Sequence, residues 1–480
     1  MAITGTYLEV IADDYSYAKG ATVKLSVEAI NRIDFPIKLI GLTIEPWGYN
    51  VELDQVMLYN QKIVNDYSLN IPDSISNTTP YWLNEESTLG MYHVANKDQI
   101  GRAINEPILK ARFTLAIGDQ FLELTQPIHH KFTDPVDGEV YRPIAILPDV
   151  AINLSVDNVV FSNDNDKRVD LRLIAGKNNV SGRLKIIVPK GWMTDINDSA
   201  LSISLKNEER LISIKIRPES KAKSGLLKMY FVSDDGNISD QQVQIIAYDH
   251  IPVQTVLKPA EIDLFKLNMI RVSKSIGYIE GAGDVIPDLL RQIGYEVSLL
   301  DKDDVTVDNL MQFDAVILGI RAFNTVDWLA YKNQELFDYS FKGGTVIVQY
   351  NTNRNLVTQE IAPYPLLLSR DRVSVETAPV MILEPKHRSM NFPNKITMRD
   401  FDGWVQERGL YFCSEWDEKF TPILSSNDPD ESPKKGGLLV ASHGEGYYIY
   451  SGYSWFRELP AGVEGAYRMF TNLISMGKDH

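Results

Sequence analysis

Two things are scarce in this chain of 480 residues: cysteine and uninterrupted apolar sequence. The single cysteine, Cys413, excludes an intramolecular disulfide and any metal site built from several thiolates. No stretch approaches the roughly 18 consecutive apolar residues that a membrane-spanning helix needs, so no membrane span is expected. Basic residues are in deficit as well. The 48 Lys and Arg face 64 Asp and Glu, and the net charge of -16 opposes attachment to phosphate backbones or anionic lipid. Nucleic acid is therefore not an expected partner. Met1-Ala2-Ile3-Thr4-Gly5 has neither a basic n-region nor an apolar h-region, so no secretory signal is read there.

What is present fits folded soluble domains: 44% hydrophobic and 23% charged residues, over a length that suggests about three domains. From Ile3 to about Ile146 the chain alternates polar and apolar residues at strand length, as in Thr22-Val23-Lys24-Leu25-Ser26-Val27-Glu28-Ala29-Ile30. Period two continues through Val169-Asp170-Leu171-Arg172-Leu173-Ile174 and Ser213-Ile214-Lys215-Ile216-Arg217. Two β-sandwich modules are expected, over 1–147 and 148–258. The pattern changes after Tyr248-Asp249-His250-Ile251-Pro252. Strands over Ser275–Ile279, Glu296–Leu300, Ala315–Leu318 and Gly344–Tyr350 then alternate with helices over Val285–Ile293 and Trp328–Ser340. Spacings of ten to twenty residues between strands require crossovers, so 265–480 reads as a mostly parallel, doubly wound, flavodoxin-like α/β domain. The expected class is multidomain, β followed by α/β.

In open parallel sheets ligands sit beyond the carboxyl ends of the strands. The loops there offer Glu280 and Asp284, Arg321 and Asn324, then Asn351, Asn353 and Arg354, and finally Trp455, Arg457 and Glu458. Carboxylates, guanidinium forks and an aromatic face suit hydroxyl-rich or carboxylate-bearing ligands; the same residues also brace loops or domain contacts. Gly281-Ala282-Gly283 invites a dinucleotide reading, but Ile286 stands where the third glycine belongs, and Glu280 and Asp284 would repel a pyrophosphate. Aromatic turns at Trp47-Gly48-Tyr49, Tyr81-Trp82 and Trp192 suggest either sugar-stacking faces or ordinary core residues. Lys386-His387-Arg388 reads as a solvated basic turn.

Two runs are idiosyncratic: Asp402-Gly403-Trp404-Val405-Gln406-Glu407-Arg408-Gly409-Leu410-Tyr411-Phe412, and Tyr453-Ser454-Trp455-Phe456-Arg457-Glu458-Leu459-Pro460-Ala461-Gly462-Val463-Glu464-Gly465-Ala466-Tyr467-Arg468. Both resemble the C-terminal accessory region of large exported bacterial deacetylases of the PIG-L (LmbE-like) family. The order of elements after Ser275 is similar to the class I glutamine amidotransferase-like fold. Val188-Pro189-Lys190-Gly191-Trp192 resembles a turn of immunoglobulin-like modules attached to bacterial glycan-processing enzymes. The resemblance implies a periplasmic or extracellular protein, a signal upstream of Met1, and a zinc-dependent N-acetyl-sugar deacetylase domain lying outside this chain.

The residues themselves carry neither inherited chemistry. An amidotransferase needs a cysteine after the central strand, where Val348-Gln349-Tyr350-Asn351-Thr352-Asn353 has none. The deacetylase needs a His-Pro-Asp-Asp-like run, whereas Asp13-Asp14 follows Ile11-Ala12, and adjacent His129 and His130 would point to opposite faces of a strand. The expectation is thus a noncatalytic accessory region for glycan recognition or scaffolding, with no cofactor in this chain, zinc in the absent domain, and a sugar or glycoconjugate as partner. The alternatives are a hydrolase or amidotransferase-like enzyme using Glu280, Asp284 and Glu458 as acid and base, and a structural protein-interaction module.

Overall fold

The computed structural model describes residues 5–88 and 90–478. Strand accounts for 45% of the residues and helix for 12%, spread over several sheets, so the chain is a β-rich multidomain protein. It divides into two compact units. The first comprises Met1–Asp157, Asp166–Arg217 and Leu226–Ile262; the second comprises Asn158–Asn165, Pro218–Gly225 and Asp263–His480.

The first unit begins with a continuous sheet in which the fifteen-residue strand Gln120–Asp134 serves two halves. Its first part pairs antiparallel with Lys110–Ile117, and Ile128, His129 and His130 run parallel to Val10, Ile11 and Ala12. Alternation decides which side is dry: in Thr22–Ile30 the inward residues are Val23, Leu25, Val27 and Ala29, all buried. They join Leu39, Ile44, Phe113 and Leu115 in one core, as a β-sandwich requires. The second module places Val150–Leu154, Lys167–Ala175, Glu209–Pro218 and Trp192–Thr194 in one sheet, while Val180–Ile187 lies between Asp198–Ile203 and Gly225–Ser233. A Cβ on Gly182 would stand 2.2 Å from the Val232 carbonyl oxygen, so this crossing admits only glycine. Lys206 ties the two modules together through Asp14 at 2.7 Å. Trp192 is core at 4% exposure. Trp47 packs against the first core and its indole N–H donates to the Asn70 carbonyl.

In the second unit, strands β1 (Ser275–Ile279), β2 (Glu296–Leu299), β3 (Ala315–Leu318), β4 (Thr345–Gln349), β5 (Phe420–Pro422), β6 (Leu438–His443) and β7 (Gly446–Ser451) form a sheet in the order β2-β1-β3-β4-β7-β6-β5. The first five in that order are parallel neighbours; β6 and β5 are antiparallel. These strands are short, continuous apolar runs because both faces are covered. Tyr278, Ile317, Ile347 and Ile449 pack on one face with helices α1 (Ile286–Gln292) and α6 (Glu464–Ile474). Ile279, Val316, Val348 and Tyr450 pack on the other with α4 (Leu329–Phe341). Helices α2 (Val307–Leu310), α3 (Ala322–Thr325) and α5 (Trp455–Glu458) are single turns. An antiparallel pair, Leu366–Val373 with Gly409–Trp416, lies outside this sheet. Among the described residues no helix is long and apolar enough to cross a membrane.

Candidate functional site

All ten loop residues singled out in the sequence belong to the carboxyl edge of the parallel strands in the second unit. After β1 the chain passes so close to the loop after β3 that a Cβ on Gly281 would lie 2.1 Å from the Ile320 carbonyl oxygen. The Ala282 N–H donates to that same oxygen at 2.8 Å. Gly281 therefore serves loop packing, whereas Gly283 has open space around it and a φ of 92°. Asp284 is half-buried and accepts from the Tyr278 hydroxyl at 2.9 Å and from the N–H groups of Ile286 and Ile320. Gln349 Nε2 donates to the Tyr278 oxygen at 2.9 Å. Burial raises the Asp284 pKa, and the hydrogen bonds oppose that rise. Glu280 is exposed.

The loops after β3 and β4 are closed by amides. The Asn351 oxygen accepts from the Phe323 N–H and its Nδ2 donates to the Gln349 carbonyl, both at 2.9 Å. Asn324 donates to the Thr352 and Arg354 carbonyls and accepts from the Thr352 N–H. Their amides are consumed by backbone, whereas Asn353 and Arg354 are exposed. Arg321 has a left-handed backbone (φ 58°), and its Nε is buried without a hydrogen-bond partner.

The two idiosyncratic runs fold onto each other. Ser454 N–H donates to the Arg408 carbonyl and Leu410 N–H to the Gly452 carbonyl. Val405 N–H donates to Glu458 Oε2 at 3.0 Å, and Arg457 Nε to Glu407 Oε1 at 2.8 Å. Trp455, at 0% exposure, packs between Trp404, Tyr453 and Phe470 with ring centroids 5.6 to 6.0 Å away, and its indole N–H donates to Ser451 Oγ. It is a core residue and presents no face to a ligand. Glycines fix the approach: a Cβ on Gly465 would fall 1.9 Å from the Asp400 carbonyl oxygen. Beside this core Glu458 is fully buried, Oε1 lacks a partner, and burial pushes its pKa up to about 8. Ser454 Oγ and the Tyr453 hydroxyl are likewise buried and unpaired.

The structure adds a cluster centred on Tyr350. Its ring stacks on Tyr411 (6.1 Å, 8°) and tilts against Phe456 (5.3 Å), over which Arg457 lies at 4.9 Å. Burial raises the Tyr350 hydroxyl pKa, and the charges of Arg321 and Arg457 oppose that rise. Arg321, Gln406 and Tyr411 all have positive φ, at 58°, 66° and 53°. Non-glycine residues held there cost about 1–3 kcal/mol each and tend to gather at functional sites. One sign of the cluster lay in the sequence, a tyrosine directly after β4. Nothing local marked Tyr411 or Phe456 as its neighbours.

Cys413 is 3% exposed, and burial pushes its thiol pKa well up, so it is no nucleophile at neutral pH. In the first unit His130 Nδ1 lies 3.0 Å from the Ala12 carbonyl oxygen, and Asp134 accepts from the N–H groups of Val136 and Asp137. Those contacts give both residues local structural work. Among the described residues no three His, Cys, Asp or Glu side chains come together as metal ligands.

No family model matches the chain. No curated protein matches it either. Among solved structures, a ThuA-like protein from Bacteroides uniformis is 11% identical with a TM-score of 0.29, covering 43% of this chain and 92% of its own. Red sea bream transglutaminase is 10% identical (TM-score 0.23; 53% and 31% covered), and a cold-adapted β-galactosidase from Rahnella sp. R3 is 12% identical (0.26; 42% and 32%). At such scores these likenesses carry no weight for fold or activity.

Proposed function

We propose that the chain is a noncatalytic recognition and scaffolding region. In this reading its second unit is a flavodoxin-like, amidotransferase-like α/β domain without the nucleophile, and the whole is the accessory part of an exported PIG-L-like zinc deacetylase acting on N-acetyl sugars. The observation that carries recognition is the Tyr350 cluster: three aromatic rings flanked by two guanidinium groups, at the edge where parallel sheets bind ligands. Support for a noncatalytic role comes from the chemistry around it. Asn351 stands where a nucleophile would be and spends its amide on backbone, and Asp284 is held by Tyr278 and two N–H groups. Acid–base work by Glu280, Asp284 and Glu458 finds less support, because one is exposed, one is bonded and one is sealed in an aromatic core.

The test is calorimetric titration of the chain with N-acetylated and free amino sugars, with and without zinc. Saturable heat that needs no zinc and falls at least tenfold in Arg457→Ala and Tyr350→Ala supports recognition at this edge. Unchanged binding in both variants overturns it. A second reading, a purely structural interaction module, is favoured by the burial of Trp455. It predicts no heat with any sugar and saturable binding to an isolated PIG-L-type catalytic domain.

A further inference from the structure

The first unit holds a partly enclosed space. A cavity of about 270 Å³ is bounded by the segment from Ser76 to Tyr81, the stretch from Ile104 to Ile108, and residues of Gln120–Asp134, Gly138–Pro143 and Pro252 to Thr255. Its size is just below the roughly 300–1,000 Å³ of most ligand pockets, which fits one ring and little more.

The wall is preorganised although its longest segment has almost no regular structure. Asn105 accepts from the Tyr81 N–H at 2.9 Å and donates to the Thr79 carbonyl at 2.7 Å. Thr78 exchanges two hydrogen bonds with Ile146, and Thr79 Oγ1 accepts from the Leu257 N–H. Two groups are left over. Asn77 donates to Gln241 Oε1 at 2.9 Å, but its own Oδ1 is buried without a partner. A buried amide oxygen in that state costs about 1–3 kcal/mol until a donor reaches it. His129 meets Tyr141 edge-on, and its ring nitrogens have no hydrogen-bond partner among the described residues. Burial lowers the His129 pKa, so the ring is neutral at pH 7 and can donate or accept.

The one carboxylate of the wall is already paired. Glu106 pairs with Arg102 and Lys110, and Arg142 lies over the Tyr15 ring at 3.4 Å. Of the lining residues Arg142 alone keeps a charge with no carboxylate beside it, and the Tyr15 ring covers one of its faces. Tyr15, Tyr81, Ile104 and Ile108 supply apolar surface beside the polar groups. That mixture complements a sugar ring, whose C–H faces pack on apolar walls and whose hydroxyls hydrogen-bond. Ile104 on the rim is 43% exposed, which leaves an entrance.

We propose that this cavity binds one neutral, polyhydroxylated ring of monosaccharide size, with a ligand hydroxyl or amide donating to Asn77 Oδ1 and a second hydroxyl bonded to His129. The site is independent of the Tyr350 cluster, which belongs to the other unit.

Saturation-transfer NMR of the full chain tests it, with glucose, N-acetylglucosamine and myo-inositol as neutral probes and glucosamine and glucuronate as charged ones. The expected result is saturable transfer to at least one neutral probe, with Kd at least tenfold weaker in Asn77→Leu and in Ile104→Trp and unchanged in Arg457→Ala. The exposed site of Ile104→Trp tolerates a larger ring while blocking the cavity, so it decides the matter even where Asn77→Leu unfolds. Transfer to no neutral probe, stronger transfer to the charged ones, or full binding by Ile104→Trp would overturn the proposal.

Discussion

Asp284 and Glu458 follow parallel strands of the same sheet, and burial raises both pKa values. They nevertheless sit in opposite kinds of surroundings. Asp284 is held by a hydroxyl and two N–H groups, all donors that favour its ionised form. Glu458 has one N–H and an unpaired oxygen within an aromatic shell, and its pKa rises to about 8. The contrast teaches that donors oppose the rise that burial alone imposes on a carboxyl.

The most damaging way to break the contrast is Trp455→Ala, which opens the shell around Glu458. Removing a fully buried indole should cost about 3–5 kcal/mol, read by chemical denaturation of the second unit. Next is Glu458→Gln. Its folded pKa lies above the ordinary 4.5, so this group's contribution is complete below pH 4.5 and is lost as pH climbs to about 8. Each pH unit in that window removes up to about 1.4 kcal/mol. The variant should match the native chain in thermal melts at pH 5 and exceed it at pH 8; equal melting at both would show that Glu458 is ionised in the fold. Tyr278→Phe attacks the other carboxyl, stripping a donor from Asp284 and an acceptor from Gln349. A loss of about 1–3 kcal/mol at pH 7 is expected, and a loss below that would mean water replaces the hydroxyl. The smallest effect belongs to Asn353→Ala on the exposed loop, whose melting should agree with the native chain to within about 0.5 kcal/mol.

The strands of the second unit were legible because each is a short apolar run bounded by turn residues; Ser275–Ile279 and Ala315–Leu318 stand where the pattern put them. The pair Leu366–Val373 with Gly409–Trp416 was not read, since three register shifts break its alternation. The site was legible only as a set of loops. A polar side chain in a loop looks the same in sequence whether it faces a ligand or a carbonyl, so Asn324 and Asn351 could not be told from binding groups. Trp455 looked equally available, because a one-turn helix has no period to reveal which side faces the core. Tyr350 acquires its neighbours from residues 61 and 106 positions further along, a distance no local pattern spans.

The position of β7 has a consequence for synthesis. It lies between β4 and β6, and its Tyr447 pairs with Thr345, although only β1 to β6 have left the ribosome before it. Until β7 emerges, β4 offers an open parallel edge of five buried residues, Thr345–Gln349, to any other nascent strand. The carboxyl edge, with Tyr350 directly after one of these strands and Trp455 just after the other, is therefore among the last parts of the unit to be completed. A ribosome stall before residue 446 would leave a chain with most of its sheet but without Phe456 and Arg457, which complete the Tyr350 cluster.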